Sequence, residues 1–321
     1  VIAQTQYTQP RSIPDREELS MRLPAYFVAL ALCLGPLASA RAQEAVVPPP
    51  GEEFDTTRGM AMGLGARASA ASTSALEYNP ANLALARVYH IETFVGYRPQ
   101  STRFEFGAAL IDSFSAPVAM GVSYRYLLGN GQYGQAGMEG RVGLAVPLGD
   151  AFAIGVAGRY VSFTREGPQP EGDNRGPYAE GITFDASVRV TPIAGLHIAA
   201  IGQNLIDFGS PLVPRLVGGS ASYTIDNVFT IAIDGLADLS TFTFPDGSLR
   251  PEALLGASAE FFTGEIPIRA GWSFDTGRSI HYITAGLGYT TSEFGIELSY
   301  RQQIYGDDDT WLMLGGRYFF H

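Results

Sequence analysis

The chain has 321 residues, 12% aromatic and 17% charged, with 38 glycines and a net charge of −11. Its 21 basic residues are all arginine, which excludes a P-loop phosphate site and a lysine Schiff base. The excess of acid argues against a nucleic-acid partner.

Residues 1–20 are polar and precede a segment that reads as a secretory signal, so they are expected to reflect a start assigned too early. In that signal, 21–42, Arg22 supplies the positive n-region and Ala25–Leu34 the apolar h-region. Pro36 breaks the run, and Ala40-Arg41-Ala42 gives an A-x-A cleavage site before Gln43. The single cysteine, Cys33, lies inside the h-region; Leu32 occupies the place where a lipidation signal needs a small residue. Export therefore yields a chain without disulfides.

Residues 43–57 are proline-rich and acidic and read as a flexible periplasmic lead-in. Residues 58–86 follow, beginning RGMAMGLGARASAASTSALEYNPANLAL. A core helix of a soluble protein carries a wide apolar stripe; here small residues occupy every side, and Met60, Met62, Leu64 and Leu76 are the few large apolar ones. Such a segment suits packing inside a container whose walls come from elsewhere. Asn79-Pro80 interrupts it, and Asn79 as N-cap with Pro80 at the first helical position predicts a second short helix through Ala86.

From residue 87 to 321 the pattern switches to period two. Phe152, Ile154, Val156 and Tyr160 alternate with Ala153, Gly155, Ala157 and Arg159, and Phe294, Ile296, Leu298 and Tyr300 with Glu293, Gly295, Glu297 and Arg301. The alternation predicts about fourteen strands, near 88–98, 103–112, 117–127, 137–148, 151–165, 180–192, 195–203, 213–225, 227–238, 250–262, 264–276, 278–290, 292–302 and 310–320. Strands of about ten residues suit a tilted membrane crossing better than a sandwich. The connections alternate short and long, except that Pro99–Thr102 and Thr276-Gly277 are short where long ones are expected. Aromatics such as Tyr97, Phe104, Tyr126, Trp272, Tyr289 and Phe294 gather near strand ends on the apolar faces, where interface girdles belong.

The opposite faces carry charges in mid-strand: Glu105, Arg125, Arg141, Arg159, Asp185, Arg189, Asp234, Glu260, Arg269, Glu297, Arg301 and Arg317. A charge on the lipid face at the bilayer midplane costs about 2–4 kcal/mol, so these are expected to face a lumen. The fold class is thus all-β, a 14-stranded antiparallel transmembrane barrel in a bacterial outer membrane. An eight-stranded barrel is filled by its own side chains and a sixteen-stranded one holds an aqueous channel. A fourteen-stranded barrel leaves a hole, and residues 58–86 are expected to plug it from the periplasmic side.

Arg58-Gly59, Met62-Gly63, Gly65-Ala66 and Tyr78-Asn79-Pro80-Ala81-Asn82-Leu83 resemble the N-terminal region of the FadL and PorV-like outer-membrane proteins. Gly202-Gln203-Asn204-Leu205 resembles the "QNL" segment of the PorV-like branch. The resemblance implies a fourteen-stranded barrel with an N-terminal hatch carrying an Asn-Pro-Ala motif. It implies two activities: uptake of hydrophobic small molecules such as fatty acids through the hatch, or a scaffold for secretion or cell-envelope proteins. For the first, Asn79, Pro80, Ala81, Met62, Leu64 and Leu76 are the candidate ligand and hatch residues. Outer-membrane lipids are the surroundings in either case. The polar outer loop Arg165–Ala179 departs from a hydrophobic capture site.

No enzyme and no cofactor is expected. Of the histidines, His281 falls on an apolar face, His321 is terminal, and His90 and His197 face the lumen, where a lone histidine is more often a hydrogen-bonded filler than a base. There is no G-x-S-x-G or H-E-x-x-H, and Asp307-Asp308-Asp309 lacks the spacing of a calcium loop.

Overall fold

A computed structural model describes residues 55–100, 102–128, 135–165, 179–208, 213–240, 253–277, 279–305 and 309–320. The signal, the residues before it and nearly all of the lead-in lie outside the described residues, as do His321, Asp307-Asp308 and the interior of the Arg165–Ala179 loop. Two short helices come first, α1 (Thr57–Ala61) and α2 (Thr73–Tyr78), then a 3₁₀ turn, Pro80–Ala84. Fourteen strands follow: β1 (Tyr89–Arg98), β2 (Arg103–Asp112), β3 (Ala119–Leu128), β4 (Gln135–Pro147), β5 (Phe152–Arg165), β6 (Ala179–Ile193) and β7 (Leu196–Gln203). The second half is β8 (Leu216–Ile225), β9 (Phe229–Asp238), β10 (Ala253–Phe262), β11 (Pro267–Asp275), β12 (Ile280–Thr290), β13 (Phe294–Gln303) and β14 (Thr310–Phe319).

Each strand pairs antiparallel with its neighbours in sequence, and β1 closes on β14 through His90↔Phe319 to Tyr97↔Leu312. Closure leaves no open edge, the condition for a sheet in hydrocarbon. The period-two pattern becomes two faces. Val156, Ile182, Ile233 and Ile296 are more than half exposed on the outside, whereas Ala153, Ala157, Thr183 and Asp185 are buried inside. Apolar residues outside and polar ones inside invert a soluble protein and match a barrel solvated by lipid.

At the end where β1 begins and β14 ends, the strands join by short turns; long outer-membrane loops face outward, so this is the periplasmic end. In the turn that joins β8 to β9, Asp226 and Asn227 adopt left-handed φ of 50° and 56°, the twist a tight hairpin turn requires, and Val228 N donates to Ile225 O at 2.9 Å.

The ladder is irregular between β6 and β7. Their register shifts between Val190 and Ile193, and their pairing ends at Ala186↔Gly202 although β6 extends to Ala179. Above that point, among the described residues, the β6 edge meets a non-strand segment: Leu205 N donates to Phe184 O at 2.9 Å, and Ile206 N to Thr183 Oγ1 at 3.1 Å.

Candidate functional site

The segment Asp55–Leu85 lies inside the ring of strands and winds past its inner face. Met60 packs on Phe94 of β1 and Trp311 and Met313 of β14, and Met62 on Ala232 of β9. Leu64 meets Leu216, Leu236 and Leu254 on β8, β9 and β10; Ala68 meets Ala199 and Ile201 on β7. Leu76 and Leu83 pack with Ile111, Ala119 and Ala145 on β2, β3 and β4. The candidate residues Met62, Leu64 and Leu76 therefore enter three separate clusters rather than one ligand site.

Small residues on both sides allow this approach. A Cβ on Gly155 of β5 would overlap the backbone of Ala81, and one on Gly286 of β12 would overlap Ala61. On Gly271 it would stand 2.5 Å from Gly63 N, on Gly143 2.5 Å from Leu76, and on Gly315 2.7 Å from Thr57. Five strands thus present bare backbone to the segment where it passes. Within the segment, Gly59 and Gly65 make room for the Tyr78 ring, over which the Arg67 guanidinium stands 5.0 Å from the centroid.

The Asn-Pro-Ala-Asn motif holds the bend. Asn79 Nδ2 donates to Arg67 O at 2.9 Å, and Asn82 Nδ2 lies within 2.9–3.0 Å of the carbonyls of Arg67, Ala68 and Ala70. Asn79 precedes the 3₁₀ turn but makes no side-chain cap to it; its amide is spent on the glycine- and alanine-rich stretch instead. The turn is one of 3₁₀ type ending at Ala84 rather than a helix through Ala86. Pro80 lacks an N–H to satisfy, and Ala81 N donates to Ser187 Oγ of β6 at 2.9 Å.

Three charged residues of the segment join wall residues of opposite charge. Glu77 faces Arg125 at 3.0 Å and Arg141 at 3.3 Å; Arg141 also meets Glu139 at 3.2 Å and Asp185 at 2.8 Å. Arg125 reaches Glu105 at 3.4 Å, and Arg159 pairs with Glu139 and donates to Asn204 Oδ1 at 2.6 Å. On the opposite wall Arg58 meets Glu260 at 2.8 Å, Arg269 bridges Glu260 and Glu297, and Arg317 bridges Glu297 and Glu92. Arg67 ties a third set, its N–H to Asp234 at 2.9 Å and its guanidinium to Gln203 at 2.8 Å. Removing one partner of a buried pair costs about 3–5 kcal/mol, so each set anchors the segment.

The structure thereby places Glu105, Arg125, Arg141, Arg159 and Asp185 in one set and Glu297 in another. Arg301 is apart from both, stacked between Tyr282 and Trp311 at 4.9 and 4.7 Å. Arg189 lies further along the inner face of β6 toward the periplasmic end. His90 is buried against Ser72 Oγ at 2.7 Å, His197 Nδ1 is 3.0 Å from Thr191 Oγ1, and His281 stacks outside on Phe274 at 4.1 Å. Among the described residues no group of histidine, cysteine and acid could hold a metal. Sequence reasoning missed Glu77, Glu92, Glu139 and Arg67. Glu139 was findable, since it stands two residues before Arg141 on the same face; the others needed the path of the inner segment.

One inner apolar cluster contains no residue of the segment 55–85. Leu127 of β3, Val161 and Phe163 of β5, Ala179 of β6 and Val213 form a buried cluster with Phe208 against it. It lies in the outer half of the lumen, beside the edge where β6 loses β7. A Cβ on Gly181 would stand 2.8 Å from the Phe208 ring, so that ring closes directly over the β6 backbone. Asn204, with φ of 52°, turns the chain inward there; its N–H meets Asp185 at 2.7 Å and its amide donates to Pro214 O at 2.8 Å.

No family model and no curated protein matches this sequence. Solved structures do. The toluene transporter TbuX of Ralstonia pickettii superposes with a TM-score of 0.60 at 13% identity, covering 84% of this chain and 100% of that one. The CymD monoaromatic hydrocarbon channel gives 0.56 at 10% identity over 78% and 93% of the two chains. The toluene transporter TodX of Pseudomonas putida gives 0.54 at 10% identity over 86% and 99%. At these identities the likeness speaks to architecture, and together with the closed fourteen-stranded ring and its lipid-facing apolar surface it establishes the fold as that of a FadL-like outer-membrane β-barrel.

Proposed function

We propose that this barrel passes small hydrophobic molecules across the outer membrane, with residues 58–86 acting as its hatch. The observation that carries this reading is the apolar cluster around Phe163, Val213 and Phe208, which, unlike the other inner clusters described, contains no residue of the segment 55–85. An apolar solute has no favourable place among the arginine–carboxylate sets, but it does beside Phe208. The cluster also borders the interrupted β6 edge, where two hydrogen bonds from Leu205 and Ile206 replace a strand ladder. The solute thus has an apolar station next to the part of the wall that opens at least cost. Monoaromatic hydrocarbons, named for the structurally similar channels, and fatty acids are the two classes to compare.

A second reading has its own observation in favour. The hatch is seated on bare glycine backbone and anchored through Arg58, Arg67 and Glu77, which suits a barrel that stays closed and scaffolds secretion or envelope proteins.

Uptake separates the two. Cells supplied with the barrel should take up labelled toluene or a labelled fatty acid faster than cells without it. Phe208→Asp, which puts a charge into the apolar cluster, should lower that uptake by about ten-fold or more. Asn79→Ala with Pro80→Ala, which frees the hatch bend, should also alter it. Uptake equal to that of cells lacking the barrel would favour the scaffold.

A further inference from the structure

A cavity of about 420 Å³ opens at the periplasmic rim, on the seam where β14 meets β1. It is lined by Arg87, Val88 and Tyr89 before and at the start of β1, by Phe319 and Phe320 at the end of β14, by Phe114 of the β2–β3 turn, and by Thr291 and Ser292. The hatch, the charge sets and the Phe208 cluster use none of its polar groups. Arg87 is fixed there: its Nη2 donates to Phe114 O at 3.0 Å and its guanidinium stands 5.7 Å from the Phe114 ring centroid. Tyr89 and Phe320 lie 4.8 Å apart between ring centroids and form the apolar side.

Two features point to the occupant. First, the cavity continues onto the lipid face. Ile91 and Tyr318 face each other across the same seam and are 39% and 54% exposed, and Phe114 is 59% exposed. Second, the charge of the rim is uneven. Exposed Asp150, Asp226, Glu265 and Glu293 make the periplasmic turns acidic, and Arg87 is the one exposed cation at this end among the described residues. An arginine head over an aromatic body at the membrane boundary suits a phosphate on one side and an acyl chain on the other.

We propose that this cavity binds one phospholipid of the inner leaflet, its phosphate on the Arg87 guanidinium within reach of the Ser292 hydroxyl, its first acyl carbons against Tyr89, Phe114 and Phe320. Asp150, Asp226 and Glu265 disfavour an anionic headgroup elsewhere on the rim, whereas at this seam Arg87 stands against Glu293, the residue after Ser292. The lipid would close the groove where the barrel's first and last strands join.

Native mass spectrometry of the full barrel, released from vesicles of phosphatidylglycerol and phosphatidylethanolamine, tests this. One retained phospholipid per barrel is expected. Arg87→Gln should reduce the retained fraction at least about five-fold, Arg87→Lys should preserve most of it, and Ser292→Ala should reduce it less. Arg215→Gln, a cation at the opposite end, should leave it unchanged, and excess inorganic phosphate should not displace the lipid. The shift in gel mobility on heating establishes that each variant is folded. A tryptophan at Phe114, quenched by brominated lipid in the parent and less in Arg87→Gln, gives a second reading that does not depend on extraction. Equal retention by folded Arg87→Gln, absence of lipid from the parent, or displacement by phosphate alone would overturn the proposal.

Discussion

Asn82 shows how much of the hatch rests on single side chains. Its amide nitrogen faces the backbone carbonyls of Arg67, Ala68 and Ala70, a stretch whose side chains after Arg67 are small. Asn82→Ala leaves those buried acceptors short of donors, at about 1–3 kcal/mol. The loss is local, because the strand ladders do not pass through it. Hydrogen exchange of amides 67–70 should accelerate by about ten-fold or more, while amides of β2 and β12 keep their protection. Acceleration of strand and hatch amides alike would show that the asparagine holds the whole barrel instead. Tyr78-Asn79-Pro80-Ala81-Asn82-Leu83 stands out in the sequence, yet the partners of its two asparagines do not. They are carbonyls of a stretch whose identity carries no signal, brought near only by the fold.

At the scale of elements, strands and hatch differ in what the sequence exposes. Each strand alternates because one face meets lipid and the other the lumen, and that contrast of solvents is written at every second residue. Strand number and order are legible for that reason, and each end lies within about three residues of its expected place. The hatch path has no such record. Its neighbours are bare backbone at Gly143, Gly155, Gly271, Gly286 and Gly315 on five different strands, and an inner glycine reads the same whether it faces a hatch or water. The end of β7 at Gln203 falls where the alternation puts it, but the upper part of β6 that lacks β7 does not show in the sequence, because what meets that edge depends on Asn204 adopting a left-handed φ in front of Asp185. The faces themselves give a direct test. Single cysteines at Val156 or Ile296, each more than half exposed, should react with a membrane-soluble thiol probe. Cysteines at Arg159 or Glu297 should be protected from it and react with a small water-soluble probe when the hatch is loosened. The opposite pattern in every strand would mean that the inner and outer faces are exchanged.

For the whole molecule, the question is what occupies the space that fourteen strands enclose. The ring is too wide for its own side chains to fill, and Asp55–Leu85 supplies the missing volume by touching a residue of every strand in turn. Wall and filling are bound differently. The wall closes by backbone hydrogen bonds from β1 to β14, whereas the hatch is held by side chains such as Glu77, Arg67 and Asn82. The barrel should therefore outlast the loss of its contents, and the contents should control passage. Deletion of residues 58–85, assayed in a planar bilayer, tests this most directly. The shortened chain should still fold, judged by its mobility shift on heating, and should open steady ion-conducting pores, while the intact chain conducts little. A folded deletion variant that conducts no more than the parent would contradict the account.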